Sequence, residues 1–135
     1  MRALILGSAS PRRAQLLAQL GLPFTQRAAR IDETPHGGEA PHDYVCRMAR
    51  EKAAALAAGE KPVESVGEAA AAAGARDALL LTADTTVVID GESLGKPADH
   101  AAARAMLERL SDRVHEVLTA VCLSTGGGVE ACLVT

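Results

Sequence analysis

The chain has 135 residues, 48% of them hydrophobic, which is enough for one hydrophobic core. Its formal net charge of −3 and its only aromatic residues, Phe24 and Tyr44, argue against a protein that coats nucleic acid or a membrane surface. We expect no signal peptide, and no stretch approaches the roughly 20 apolar residues that span a bilayer. Small charged substrates remain compatible with this composition, because one local basic pocket is enough to bind them.

The three cysteines, Cys46, Cys122 and Cys132, are odd in number, far apart and without a Cys-x-x-Cys pair. This pattern predicts a reducing compartment, hence a cytoplasmic location, and no structural zinc. We interpret them as small thiols in the core, since the sequence identifies no partner that would activate one of them.

The first segment predicts a buried strand at residues 3–6, then a turn, then a helix with Ser10 as its cap and Pro11 at its first position. Arg12 and Arg13 lie in the first turn of that helix, where cations oppose the helix dipole. One interpretation is that they bind an anion beside the free N–H groups and the serine hydroxyls. The other is that they are solvated surface arginines.

Residues 24–28 predict a strand running back along the first, and residues 31–42 predict a loop from their proline and glycine content. The carboxylates and histidines of this loop match no metal-ligand spacing. We retain only Asp32 and Glu33 as candidates, because they lie where the strand meets the loop and sites are often built there.

A helix is predicted from His42 or Asp43 to about Ala58. Its apolar face recurs at three- and four-residue spacing and consists of Val45, Met48, Ala49 and Leu56. Lys52 falls in the middle of this face, so it either snorkels from the edge of the core or points into a cleft and binds a phosphate or carboxylate. The composition of residues 59–77 predicts a variable insertion at the surface that contains no functional residues.

Residues 78–90 carry the strongest strand signal, a continuous apolar run suited to a strand covered on both faces. Asp84 interrupts this run. Since an unpaired buried carboxylate is costly, Asp84 is expected to be neutral, paired or open to a site, as a metal ligand, a general base or a cap of a bend. Asp90 and Gly91 predict a hairpin turn that brings Lys96 back near Asp84.

Asp99 is the predicted cap of a third helix, whose apolar stripe comprises Ala103, Met106, Leu107 and Leu110. Strands are predicted at residues 114–124 and from Val129 onwards. His115 is either an acid–base residue or a structural histidine. Because the sequence stops at Thr135 within the last strand, we expect an incomplete domain.

Taken in order, these segments resemble the Maf family of nucleoside triphosphate pyrophosphatases, a family named for its link to inhibition of septum formation. The resemblance spans the chain and is carried by Ser8-Ala9-Ser10-Pro11-Arg12-Arg13, Asp32-Glu33, Tyr44-Val45, Arg50-Glu51-Lys52-Ala53, Ala83-Asp84-Thr85-Thr86-Val87-Val88, Gly95-Lys96-Pro97, Met106-Leu107, Leu110-Ser111 and His115-Glu116-Val117.

This resemblance implies a single α/β domain over residues 1–135, with a twisted mixed sheet, flanking helices and an inosine triphosphatase-like architecture. It implies hydrolysis of a nucleoside triphosphate between the α- and β-phosphates, giving the monophosphate and pyrophosphate, with Mg²⁺ or Mn²⁺ as cofactor. Ala83-Asp84-Thr85 is similar to the branch acting on dTTP and UTP, with CTP or modified pyrimidine nucleotides as further substrates.

The resemblance also assigns roles to individual residues. Asp84 is the expected catalytic residue that activates water, and it is a metal ligand together with Glu33. The expected substrate-binding residues are Ser8, Arg12, Arg13, Lys52, Thr85 and Lys96, of which Arg12 and Thr85 are tied to base specificity.

Members of this family continue beyond the point where this sequence stops, so we expect a domain truncated at its C-terminus. The alternative function is a catalytically impaired nucleotide-binding or cell-division regulatory protein. The expected partner is a nucleoside triphosphate, with neither nucleic acid nor membrane, and a homodimer is left open.

Overall fold

The computed structural model describes residues 4–58, 79–125 and 128–135. The predicted insertion at residues 59–77 lies outside them. The elements, in chain order, are β1 (Leu4–Gly7), α1 (Pro11–Gln19), β2 (Thr25–Gln26), α2 (Pro41–Ala57), β3 (Leu79–Ile89), β4 (Glu92–Leu94), α3 (His100–Leu110), β5 (Glu116–Thr125) and β6 (Gly128–Val134).

The strands of the described ranges form one six-stranded mixed sheet with the order β2-β1-β3-β5-β6, and β4 pairs with β3. β1 runs parallel to β2 and to β3. β3 runs antiparallel to β4 and β5, and β5 runs antiparallel to β6. The predicted α/β class, a mixed sheet with helices, is therefore confirmed.

The second strand differs from its prediction in length and direction. It comprises only Thr25–Gln26, and it runs parallel to β1, with Ile5 opposite Thr25. The reason is the connection, because a helix that joins two neighbouring strands returns the chain to the starting edge and makes the strands parallel. α1 is such a connection.

β3 is continuous from Leu79 to Ile89, which confirms the strand predicted at residues 78–90, and Asp84 interrupts its apolar run without breaking the strand. Asp84 pairs with Ala120 of β5, and the antiparallel register continues on both sides of it. The ladder is formed by backbone groups, and it tolerates a carboxylate where the side chain finds a partner off the strand. The predicted hairpin after β3 is confirmed, with positive φ angles at Asp90 and Gly91.

α2 begins at Pro41, just before the predicted start, and packs against β1, β3, β5 and β6. Its predicted apolar face is confirmed, because all four members, Val45, Met48, Ala49 and Leu56, are buried. Leu56 packs with Ile5 and Leu80 in one cluster, and Val45 and Ala49 pack with Ala120 and Cys122 in another. Burying each large apolar side chain contributes about 1.5–3 kcal/mol, so this face fixes α2 on the sheet.

The predicted stripe of α3 is not buried. The helix has the predicted cap, since Asp99 Oδ1 accepts a hydrogen bond of 2.8 Å from the Ala102 N–H. None of its residues is buried, however, and Leu107 is 69% exposed. Periodicity identifies an apolar face, but burial also needs an opposing surface, and no described element packs extensively along this helix.

The three cysteines lie together where α2 packs against β5 and β6, and they carry free thiols. Cys122 is buried, Cys46 and Cys132 pack against the same cluster, and the Cys122 and Cys132 sulfurs are 2.7 Å apart across β5 and β6. Burial raises the pKa of the Cys122 thiol to about 12. The interpretation of this residue as a core thiol is confirmed.

No helix in the described ranges combines the length and the apolar character needed to cross a membrane.

Gly7 allows the end of β1 to approach α2 closely. A Cβ atom at this position would overlap Leu56 Cδ1 and lie 2.7 Å from Thr82 Cγ2. We predict that Gly7→Ala lowers the free energy of unfolding by about 1–3 kcal/mol, the usual cost of overpacking, as measured by urea denaturation. The matched control is Gly37→Ala, where an added Cβ meets no atom within 4 Å. Equal stability of the two variants would contradict the close approach.

Candidate active site

The eight residues singled out from the sequence come together in one cleft of about 1270 Å³, which opens beside α1, the end of β1 and the middle of β3. They are Ser8, Arg12, Arg13, Glu33, Lys52, Asp84, Thr85 and Lys96. With Arg30, which also lines it, the cleft holds five cationic side chains and two carboxylates on an otherwise largely apolar wall.

The turn between β1 and α1 is held by three polar side chains. Ser8 Oγ accepts a hydrogen bond from the Ser10 N–H (3.1 Å), and Ser10 Oγ accepts one from the Arg13 N–H (3.3 Å), which confirms Ser10 as the cap of α1. Gln26 Nε2 donates to the Ser8 carbonyl oxygen at 2.7 Å. Gln26 was not predicted from the sequence, because no local pattern links β2 to this turn.

The two arginines of α1 have different surroundings. Arg13 donates through Nη2 to Thr85 Oγ1 (2.8 Å) and through Nη1 to the Ala83 carbonyl oxygen (3.3 Å) and Ser8 Oγ (3.4 Å). Arg12 is exposed, and it has no hydrogen bond or ion pair with the described residues. Arg13 therefore ties α1 to β3, while Arg12 keeps its guanidinium available to a ligand.

Lys52 points into the cleft, which decides between its two interpretations. Its Nζ donates to Asp84 Oδ1 (3.0 Å) and to the Ala83 carbonyl oxygen (3.2 Å), and it lies 3.7 Å from Glu33 Oε1. The side chains of Lys52 and Asp84 are only 13% and 15% exposed. The ammonium compensates the cost of burying the Asp84 carboxylate.

Adjacent residues of β3 contact different helices. Successive side chains of a strand point to opposite faces of the sheet, so Asp84 and Thr85 diverge. Asp84 meets Lys52 of α2, whereas Thr85 meets Arg13 of α1. Thr85 Oγ1 also lies 3.0 Å from Thr119 Oγ1 of β5. Two helices therefore contribute cations to neighbouring positions of one strand.

Glu33 and Asp84 are the two carboxylates of the cleft lining that could hold a divalent cation. Both present carboxylate oxygens to the same ammonium, and Mg²⁺ is usually held by one or two carboxylates together with substrate phosphates. Within the described ranges, no group of three His, Cys, Asp or Glu side chains is placed to hold a metal. The donor set thus suits a cation shared with a phosphate ligand more than a closed protein cage.

The loop before α2 is held by two residues that the sequence analysis did not single out as site residues. Tyr44 Oη donates to the Glu33 carbonyl oxygen at 2.6 Å, and Arg47 Nη2 donates to the Thr34 carbonyl oxygen at 3.0 Å. Burial, with the nearby charges of Asp84 and Glu33, raises the pKa of the Tyr44 hydroxyl, so this group stays a donor. The available signal was the spacing of Tyr44 and Arg47, three residues apart on one helix face.

Two further candidates lie away from the cleft lining. Asp32 Oδ1 accepts a hydrogen bond from the Thr34 N–H (3.0 Å) and shapes the loop, so of the two adjacent acids only Glu33 lines the cleft. His115 is exposed, just before β5, and does not line the cleft either. The structure therefore gives His115 no acid–base role at this site.

Fold and cleft together define a mixed α/β protein with an open cleft that places cations and two carboxylates side by side. The model of the Maf-like protein family matches residues 3–134, and the chain belongs to this family.

Its relatives include two proteins named dTTP/UTP pyrophosphatase. The one from Myxococcus xanthus (strain DK1622) is 50% identical over 121 residues, covering 90% of this chain and 54% of that protein. The one from Pseudoalteromonas atlantica (strain T6c / ATCC BAA-1087) is 47% identical over 131 residues, covering 97% of this chain and 62% of that protein. The chain thus spans little more than half the length of these curated relatives.

Among solved structures, the chain is similar to a nucleoside-triphosphatase / dITP/XTP pyrophosphatase from Mycobacterium abscessus ATCC 19977 / DSM 44196. The TM-score is 0.49 at 16% sequence identity, with 98% of this chain and 69% of that chain covered.

The loop before α2 also carries a pH-sensitive ion pair. Hydrogen bonds from Arg47 lower the pKa of Glu39 from its ordinary 4.5 to about 2. A carboxylate with a lowered folded-state pKa contributes stability that is fully present above about pH 4.5 and is lost as the pH falls towards 2.

We predict that Glu39→Gln removes this contribution, so that its melting temperature depends less on pH between 4.5 and 2 than that of the unchanged protein. The control is Glu108→Gln, an exposed residue whose partner is Arg104 on the same helix. Thermal unfolding followed by circular dichroism across this range measures the difference. Parallel curves for the unchanged protein and Glu39→Gln would contradict the assignment.

Proposed function

We propose that this chain carries the catalytic cleft of a nucleoside triphosphate pyrophosphatase that acts on dTTP and UTP, with CTP or modified pyrimidine nucleotides as further substrates. The observation that carries the proposal is the arrangement around Lys52, which holds Asp84 and Glu33 in the same cleft as the arginines of α1. The names of the relatives, dTTP/UTP pyrophosphatase, support the same activity.

The cations of the cleft suit the binding of a triphosphate. Arg12 and Lys96 are exposed and have no ion-pair partner among the described residues, so each can bind phosphate oxygens without breaking an existing contact. At the N-terminus of α1, Pro11 has no N–H and the Arg13 N–H is bonded to Ser10 Oγ, which leaves the Arg12 N–H for a ligand, and helix N-termini favour anions. Arg13 is held by Thr85, Ala83 and Ser8, so it presents its charge in a fixed direction.

Asp84 is the residue we propose to activate water. Its Oδ1 is engaged by Lys52, and no contact of Oδ2 with the described residues competes for that oxygen. Oδ2 can therefore accept a proton from a water molecule while the bond between the α- and β-phosphates is cleaved. The products are the nucleoside monophosphate and pyrophosphate.

Glu33 and Asp84 would hold Mg²⁺ or Mn²⁺ at the phosphates. When bound, such a cation neutralises charge that develops on the phosphate oxygens. Lys52 offsets the repulsion between the two carboxylates before the substrate arrives, because its ammonium lies 3.0 Å from Asp84 Oδ1 and 3.7 Å from Glu33 Oε1.

Base specificity is proposed to rest on Arg12 and Thr85. The Thr85 hydroxyl is oriented by Arg13 and shares a hydrogen bond with Thr119, so it has a defined direction at the cleft wall. Arg12 has the freedom to adapt to the base or to the phosphates.

The test is the release of pyrophosphate from dTTP, UTP and a panel of other nucleoside triphosphates with Mg²⁺ or Mn²⁺. We expect pyrophosphate from the pyrimidine nucleotides, loss of activity in Asp84→Asn, and about a 10²–10³-fold lower kcat in Lys52→Met. Asp99→Asn is the matched control, because asparagine also caps α3 and Asp99 does not line the cleft. Release of orthophosphate alone, or full activity of Asp84→Asn, would overturn the proposal.

A second candidate is a nucleotide-binding or cell-division regulatory protein without turnover. It needs only the cations Arg12, Arg13 and Lys96, which do not depend on Asp84 for their positions. Thermal stabilisation by dTTP without any pyrophosphate over a long incubation would select this candidate.

We also propose a cytoplasmic location and no nucleic-acid partner. The free cysteines fit a reducing compartment, and the net charge of −3 does not favour nucleic acid.

A further inference from the structure

The position of Glu33 needs an explanation beyond its own side chain. It lies in an irregular segment between β2 and α2, and its side chain is 46% exposed, yet its carboxylate stands 3.7 Å from Lys52 Nζ. A pair that is this exposed contributes little energy of its own. The backbone that carries Glu33 must therefore be held by other groups.

Tyr44 holds the backbone at Glu33 itself. Its hydroxyl donates to the Glu33 carbonyl oxygen at 2.6 Å. The ring lies on α2 with the guanidinium carbon of Arg47 5.7 Å from its centre, within the range of a cation–π contact. The donor is thus fixed on a regular helix.

Arg47 holds the next residue and closes the loop. Its Nη2 donates to the Thr34 carbonyl oxygen, while Nε and Nη2 form a bidentate pair with Glu39 at 2.7 and 2.9 Å. Its Nη1 donates to Glu51 Oε2 at 2.8 Å, which anchors the guanidinium one turn further along α2. One side chain therefore joins the start of the loop, its end and the helix.

We propose that Tyr44 and Arg47 are positioning residues for Glu33. They fix the carbonyl groups of Glu33 and Thr34 so that the Glu33 carboxylate reaches the same ammonium as Asp84, where it would complete the pair that holds the divalent cation. The role of Glu33 in this statement rests on the proposed function. The contacts that hold the loop do not.

Neither Tyr44 nor Arg47 lines the cleft, so both act through Glu33 and not by touching the substrate. Their two hydrogen bonds go to consecutive carbonyl groups, beside the one residue of this loop segment that faces Lys52. Partners that orient a metal ligand from behind in this way typically change metal affinity or activity about 10–100-fold when removed.

The experiment uses the whole chain and compares Tyr44→Phe, Arg47→Met and Arg47→Lys with the control Arg50→Met. Arg50 is an exposed arginine of the same helix without a hydrogen bond or ion pair to the described residues. Mn²⁺ is the probe, and its binding is measured by electron paramagnetic resonance in the presence of α,β-methylene-dTTP. kcat, KM and the half-saturating Mn²⁺ concentration are measured with dTTP.

We expect Tyr44→Phe and Arg47→Met to weaken Mn²⁺ binding by about 10-fold or more, with a lower kcat and little change in KM. Arg47→Lys should not restore binding, because an ammonium cannot make the bidentate pair and the third contact at once. Arg50→Met should match the unchanged protein.

A double-mutant cycle separates positioning from general stability. If Tyr44 acts through Glu33, then Tyr44→Phe combined with Glu33→Gln binds Mn²⁺ no more weakly than Glu33→Gln alone. Additive losses, or Mn²⁺ binding by Tyr44→Phe equal to that of the unchanged protein, would overturn the inference. Tyr44→Phe removes one oxygen atom, so it keeps the test valid if Arg47→Met fails to fold.

The two proposals fail in different ways. If the unchanged protein binds Mn²⁺ normally but releases no pyrophosphate, the proposed pyrophosphatase activity is overturned. The double-mutant cycle of Tyr44 and Glu33 then still tests the positioning roles. Absence of Mn²⁺ binding in the unchanged protein overturns the inference about Tyr44 and Arg47.

Discussion

The ammonium of Lys52 is the contact on which the cleft depends. It emerges from the buried face of α2 and meets Asp84, the Ala83 carbonyl oxygen and, at longer range, Glu33. Without it, the Asp84 carboxylate, which is only 15% exposed, would lose the charged partner that offsets the cost of its burial. Lys52 thus allows the protein to keep two carboxylates beside cationic side chains in one cleft.

This contact in turn requires the packing of α2. Val45, Ala49 and Leu56 fix the helix on the sheet, and Gly7 leaves room for it at the end of β1. The reach of a lysine side chain then determines which residue of β3 it meets. Stability and site are therefore not separate properties here, because the same apolar face that builds the core also aims the ammonium.

Much of this organisation was predictable from the sequence. The cap at Ser10, the apolar face of α2 and the hairpin after β3 are local patterns, and each is confirmed. Lys52 in an apolar stripe and Asp84 in an apolar run are conspicuous violations of those patterns, whereas Ser8 and Thr85 became site candidates only through the resemblance to a known family.

The features that the sequence did not reveal depend on contacts between residues far apart in the chain. The direction of β2 and the roles of Gln26, Tyr44 and Arg47 depend on which segments meet in space. The apolar stripe of α3 is a further example. Leu107 fits the helical periodicity of the stripe, but no described element packs extensively against it. Hydrogen bonds from side chains to distant carbonyl groups leave no periodicity in a sequence.

The long ladder between β3 and β5 has a further consequence. It pairs residues from Leu80 with Ser124 to Val88 with Glu116 without a shift. A slip by a single residue would turn every side chain of β3 to the other face of the sheet. Thr85 would then face α2 and Asp84 would face α1, so the carboxylate would leave Lys52 for Arg13. The register between β3 and β5 thus determines whether the Asp84 carboxylate pairs with Lys52 or with Arg13.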